Sequence, residues 1–122
     1  MRVLLVDDEV ELVSALAERL SLRGIEADWA STCDDALTQV ESKTFDIAVL
    51  DVKMPKTSGL ELKRRLRAKC PLMKFIFVTG HGSENDFREA LNEAGTAYYL
   101  VKPLHIQTLI DKMNQALKGV EE

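Results

Sequence analysis

Short, nearly continuous apolar runs recur along the chain, separated by longer segments whose apolar residues follow a helical period. This alternation constrains the fold most, because neighbouring strands joined through helices lie parallel, in a sheet with helices on its faces. Val3 to Val6, Phe45 to Leu50, Phe75 to Val78 and Ala97 to Val101 read as strands, three of them apolar enough for burial on both faces. Ile25 to Ala30 is mixed and reads as a more exposed strand.

Helices fill the intervals. Leu12, Val13, Leu16 and Leu20 form one face of a first helix, ended where Gly24 tolerates positive φ. Ser31 or Thr32 caps a second helix running to about Ser42, with Ala36, Leu37 and Val40 inward. Ser58 caps a third, carrying Leu60, Leu62 and Leu66 amid the basic run Lys63 to Arg67. Phe87, Ala90, Leu91 and Ala94 share a face of a fourth, closed by Gly95, and a fifth follows Pro103 with Ile106, Leu109, Ile110, Met113 and Leu117 inward. The expected architecture is an α/β, (βα)5, doubly wound parallel sheet in three layers. Right-handed crossovers favour the flavodoxin-like strand order 2-1-3-4-5. At 122 residues the chain, 1–122, is expected to be one domain with no effector domain beside it.

Charge and composition exclude several function classes. Sixteen Lys and Arg against twenty Asp and Glu leave a net charge of −4, which disfavours direct nucleic-acid binding. Lys63, Arg64, Arg65 and Arg67 accordingly read as a solvated helix face, with Glu61 beside them and no aromatic residues to stack on bases. Cys33 and Cys70 belong to no CxxC or Cys/His cluster, so they read as small buried or half-buried residues in a reducing compartment. No apolar stretch approaches the roughly 20 residues that a bilayer requires. A soluble, cytoplasmic protein without membrane partners is expected.

Unusual polar residues collect at the strand ends: Asp7-Asp8-Glu9 after the first, Asp51 after the third, Thr79 after the fourth, Lys102-Pro103 after the fifth. Ligands of such sheets bind there, beside the point where strand order reverses. Taken singly each has an ordinary structural role: Asp7 and Asp8 as helix-capping acids, Asp51 as a turn residue, Thr79 as a strand end, Lys102-Pro103 as a turn, Tyr99 as a packing aromatic. Taken together, Asp7, Asp8 and Asp51 should converge in one shallow pocket where their repulsion favours a divalent cation. Mg2+ suits it, because it takes oxygen ligands and needs few carboxylates beside phosphate oxygens and water; Mn2+ could substitute. Lys102 adds a positive charge and Thr79 a hydroxyl donor, which makes the set a phosphoryl site.

The segments LLVDDE, VLDVKMP around Asp51, VTGHG from Val78 and YYLVKP around Lys102 fall in order at the ends of successive strands. On these motifs the chain resembles, over essentially its whole length, the receiver domains of two-component response regulators. The resemblance implies that Asp51 accepts a phosphoryl group from a histidine kinase or phosphotransfer protein. It makes Asp8 a direct Mg2+ ligand, Asp7 a ligand acting mostly through water, and Lys53 a ligand through its backbone carbonyl. Thr79 and Lys102 would bind the phosphoryl oxygens, Tyr99 would be the aromatic switch, and the Lys102–Pro103 bond would be cis. Lys53 and His81 stand where side chains influence hydrolysis of the phospho-aspartate, and their bulk is expected to lengthen its life.

Output is expected through the fourth helix, fifth strand and fifth helix, whose exposed residues include Glu84, Asn85, Arg88, Glu89, Asp111 and Lys112. That surface would meet a downstream effector, and phosphorylation could pair two copies of the chain. Lys56 and Thr57 depart from the acidic or small residues usual before the glycine of this family, which here is Gly59. Beyond self-phosphorylation and autodephosphorylation no enzymatic activity is expected. Two alternatives compete. A phosphatase or phosphotransferase of the haloacid dehalogenase type would want an acid two residues after the nucleophile, where Lys53 stands, and a cap for which there is no room. A pseudo-receiver binding partners constitutively is disfavoured by the intact set Asp7, Asp8, Asp51, Thr79 and Lys102.

Overall fold

The structure, a computed structural model, describes residues 1–54, 56–80 and 98–118. Its elements are β1 (Arg2–Val6), α1 (Val10–Leu22), β2 (Glu26–Ala30), α2 (Cys33–Ser42), β3 (Ile47–Asp51), α3 (Gly59–Lys69), β4 (Lys74–Thr79), β5 (Tyr98–Val101) and a C-terminal helix (Ile106–Lys118). The five strands form one parallel sheet in the order β2-β1-β3-β4-β5, the doubly wound arrangement expected from the sequence. The fourth expected helix, His81, and Glu84, Asn85, Arg88 and Glu89 lie outside the described residues.

Side-chain alternation along the strands divides the interior in two. Leu4, Val6, Ala48, Leu50, Phe75 and Phe77 pack with Ala36 of α2 and Leu62 and Leu66 of α3. Val3, Leu5, Ile47, Val49, Ile76 and Val78 pack with Val13, Leu16 and Leu20 of α1 and Leu109 and Met113 of the C-terminal helix. The sheet is thus the middle of three layers. Adjacent residues of β5 split between these cores: Tyr99 packs on the α2/α3 side and Leu100 on the other. As the mixed sequence of β2 foretold, that edge strand is more exposed than β1, β3 and β4, with Glu26 and Trp29 open to solvent.

The termini of the elements follow from local chemistry. Thr32 rather than Ser31 caps α2, accepting from the Asp35 N–H at 3.0 Å, and Ser58 accepts from the Glu61 N–H at 3.2 Å at the start of α3. Helix α1 ends with Gly24 at φ 82°, its N–H bonded to the Ser21 carbonyl while the Ile25 N–H bonds to that of Leu20, the paired bonds of a Schellman stop. Strands β1 and β4 begin one residue before their apolar runs, and β4 runs through to Thr79, because ladder pairing continues into polar residues. Phe45, expected in the third strand, precedes it and is buried, while the neighbouring Asp46 closes the bottom of the sheet. Its carboxylate accepts from the Arg2 N–H at 2.8 Å, and its main chain bonds to Arg2 and Lys74.

Candidate functional site

Four strand ends bring the polar residues together. The Asp7 N–H bonds to the Ala30 carbonyl at 3.1 Å and the Val52 N–H to that of Val78 at 2.9 Å, so each chain leaves the sheet in register with its neighbour. The Lys102 N–H likewise donates to the Thr79 carbonyl at 2.8 Å, which holds these two residues side by side. Asp7, Asp51 and Thr79 are the buried polar residues among those described, and Thr79 is 3% exposed. The Lys102–Pro103 peptide bond is cis.

Asp7, Asp8 and Asp51 each offer a carboxylate oxygen, and these atoms all lie within 4.8 Å of one another. Asp7 and Asp51 are buried while Asp8 is open to solvent. Burial, the Asp7 charge and, less strongly, that of Asp8 push the Asp51 carboxyl up to about 6, against the opposing pull of Lys102 and of the Lys53 N–H, which donates to Asp51 Oδ1 at 3.3 Å. Such a donor set, hard and anionic with an open side at Asp8, fits Mg2+ and gives a soft metal no nitrogen or sulfur.

Lys102 answers part of this charge. Its Nζ lies 2.7 Å from Glu9 Oε1, 2.9 Å from Asp7 Oδ2 and 3.7 Å from Asp51 Oδ2. Burial alone would favour the neutral amine, but the bonds to Glu9 and Asp7 and the charges of Asp7 and Asp51 outweigh it, so its pKa rises and the ammonium stays charged. Asp7 is fixed from its other oxygen, which accepts from the Glu9 N–H at 2.9 Å.

Behind the pocket, the first residue of α3 lies against the backbone of Asp51. The Gly59 N–H bonds to the Val52 carbonyl at 2.9 Å, and a Cβ at Gly59 would stand 2.4 Å from the Asp51 carbonyl oxygen. Beside Asp8 a cavity of about 220 Å³ opens between the residues that lead into α2 and Met54, Lys56 and Thr57. Cys33 lines it, its Sγ donating to the Thr57 carbonyl at 3.5 Å; burial pushes this thiol up, away from nucleophilic use.

The structure therefore gathers Asp7, Asp8, Asp51, Lys53, Thr79 and Lys102 at the carboxyl edge of the sheet. Tyr99 stands one face away, opposite Phe77 and half-buried against the α2/α3 core. Two participants, Glu9 and Gly59, stand in or beside the motifs, which assign them no role in the site. Glu9 is the nearest partner of Lys102 across 93 residues of sequence, a pairing with no local signal. Gly59 follows a loop, yet a glycine right after a capping serine, where nothing demands positive φ, is the mark of a close backbone approach.

Comparison with known proteins bears on the family and the fold. The model of the response regulator receiver domain matches residues 3–114. The two-component response regulator PhoP of Pseudomonas aeruginosa is 34% identical over 118 residues, which cover 97% of this chain and 52% of that protein. The transcriptional regulatory protein ZraR of Salmonella typhimurium is 32% identical over 120 residues, or 98% of this chain and 27% of that one. The chain thus spans between about a quarter and a half of the length of these relatives. The crystal structure of a CheY-like receiver domain protein from Methanospirillum hungatei superposes with a TM-score of 0.85 at 31% identity, covering 97% of this chain and 94% of that one. On the family-model match and the shared fold, the chain belongs to the response regulator receiver domain family of two-component signalling.

Proposed function

We propose that this chain is a phosphoacceptor switch in which Asp51 receives a phosphoryl group from a phosphohistidine of a kinase or phosphotransfer protein. The observation that carries this reading is the buried carboxylate of Asp51 set among Asp7, Asp8 and the Lys102 ammonium at the carboxyl edge of the sheet. Asp7, Asp8, Asp51 and the Lys53 backbone carbonyl would hold Mg2+, which when bound supplies positive charge against the incoming phosphoryl oxygens. An ionised Asp51 oxygen attacks phosphorus. The P–N bond to the donor imidazole breaks, its electron pair stays on nitrogen, and an acyl phosphate forms on Asp51. Lys102 exchanges its carboxylate partners for a phosphoryl oxygen, and the Thr79 hydroxyl donates to another.

The new group brings about −1.5 to −2 charges to the pocket. Thr79 moves toward it, Tyr99 turns into the vacated space, and β5 and the C-terminal helix, with the segment between β4 and β5, present an altered surface to an effector or to a second copy. The effector is whatever output this unit is joined to or meets. Lys53 and His81 screen the acyl phosphate from water. The doubly substituted Lys53→Asn, His81→Ala protein should lose its phosphoryl group faster, and equal or slower decay would remove these side chains from that role.

Incubation with Mg2+ and acetyl phosphate, followed by intact-mass measurement, tests the central reading. The expected result is a gain of one phosphoryl group that requires Mg2+ and vanishes in Asp51→Asn. No gain with acetyl phosphate or a phosphorylated kinase would favour constitutive binding, and repeated turnover of small phosphate esters would favour a phosphatase.

A further inference from the structure

Lys102 lies against two of the three clustered carboxylates. Its ammonium contacts Asp7 at 2.9 Å and Asp51 at 3.7 Å, so it competes with a divalent ion for two of the three carboxylates. Its shortest contact, however, is to an acid outside that set: Glu9, at 2.7 Å. Glu9 stands at the rim, its side chain 61% exposed, and it makes no capping hydrogen bond although it occupies the N-cap of α1. Its main chain is anchored to the pocket all the same, through the N–H that donates to Asp7 Oδ1.

We propose that Glu9 is a positioning residue that sets the affinity of the pocket for a divalent cation by drawing the Lys102 ammonium off Asp7 and Asp51. The inference rests on the reading that Asp7, Asp8 and Asp51 hold Mg2+. Without Glu9 the ammonium has the two buried carboxylates as its anchors, and a cation can enter only by stripping a half-buried charge of its partners, which is costly. With Glu9 the ammonium keeps a counter-ion as the pocket fills, so clearing the site leaves no charge unpaired. The same arrangement keeps Lys102 at the pocket mouth, a short swing from an incoming phosphoryl oxygen.

Isothermal titration calorimetry of Mg2+ into the wild type, Glu9→Gln, Lys102→Met and the double variant tests this without any turnover. Glu9→Gln should weaken Mg2+ binding by about five-fold or more, whereas in the Lys102→Met background the same change should alter it by less than about two-fold. Thermal unfolding of each variant establishes that it is folded, and a simple structural role for Glu9 would persist when Lys102 is gone. The proposal is overturned if Glu9→Gln binds within about two-fold of wild type, or if it loses as much affinity in both backgrounds, which would make Glu9 a through-space charge. A wild type that takes up no Mg2+ would instead overturn the metal reading beneath it.

Discussion

Asp51 is ionised at neutral pH in a place that disfavours its charge. Below about pH 4 the carboxyl is protonated in both the folded and unfolded chains. Between there and about pH 6 the folded chain keeps a proton that the unfolded chain has released, so this group's contribution to stability falls as pH rises through that window. Asp51→Asn removes the penalty. In metal-free buffer at pH 7.5 it should be more stable than wild type by an amount on the order of 2 kcal/mol, a difference that closes near pH 4, as read by urea denaturation at each pH. At this scale the sequence disclosed which residues carry charge at the strand ends, because an apolar run that breaks at Asp7 or Asp51 marks the point where a buried strand leaves the sheet. It could not disclose that Lys102 leans on Glu9, since that contact depends on how the residues after β1 and β5 meet in space.

Elements, too, meet at fixed separations, and at the junction of β3 with α3 the backbones approach closely across Gly59. Gly59→Ala would press a methyl group against the Asp51 carbonyl oxygen, a backbone atom that cannot swing aside. It should cost about 1–3 kcal/mol by urea denaturation and, on the proposed function, slow phosphorylation from acetyl phosphate, because the peptide of Asp51 must shift. Thr32→Ala offers a contrast: it removes the cap of α2, whose side chain accepts from the Asp35 N–H, and should cost about 1 kcal/mol. Apolar periodicity foretold every described element, and the Ser58 cap and Gly24 stop foretold two of the helix ends. Strand ends were less legible because polar residues such as Lys74 and Thr79 pair in the ladder as well as apolar ones do.

For the molecule as a whole, anything that binds the folded pocket and not the unfolded chain raises stability by mass action. Mg2+ at about a hundred times its dissociation constant should add about 2.7 kcal/mol to the wild type, and Asp8→Asn should lose most of that gain, as followed by thermal unfolding with and without the ion. The cores on either side of the sheet make a second expectation. Val13→Ala in α1 and Val40→Ala in α2 disturb different cores, so their costs should add to within about 0.5 kcal/mol in urea denaturation of the double variant. Strand order was readable from the alternation of elements and the handedness of crossovers. Which helices share a face emerges from the packed structure, with α1 beside the C-terminal helix and α2 beside α3.

Tyr99 and Leu100 point into opposite cores from a strand of four residues that is paired along one side, to β4. An edge so short is held by few ladder bonds, and its last rung, Thr79 with Val101, adjoins Lys102. A small pull at that rung is therefore felt above and below the sheet at once. On the proposed function β5 would act as a rocker whose pivot is its pairing with β4: chemistry at one end would tip apolar weight from one compartment toward the other, and the surface over it would not need to touch a phosphoryl group to register its arrival.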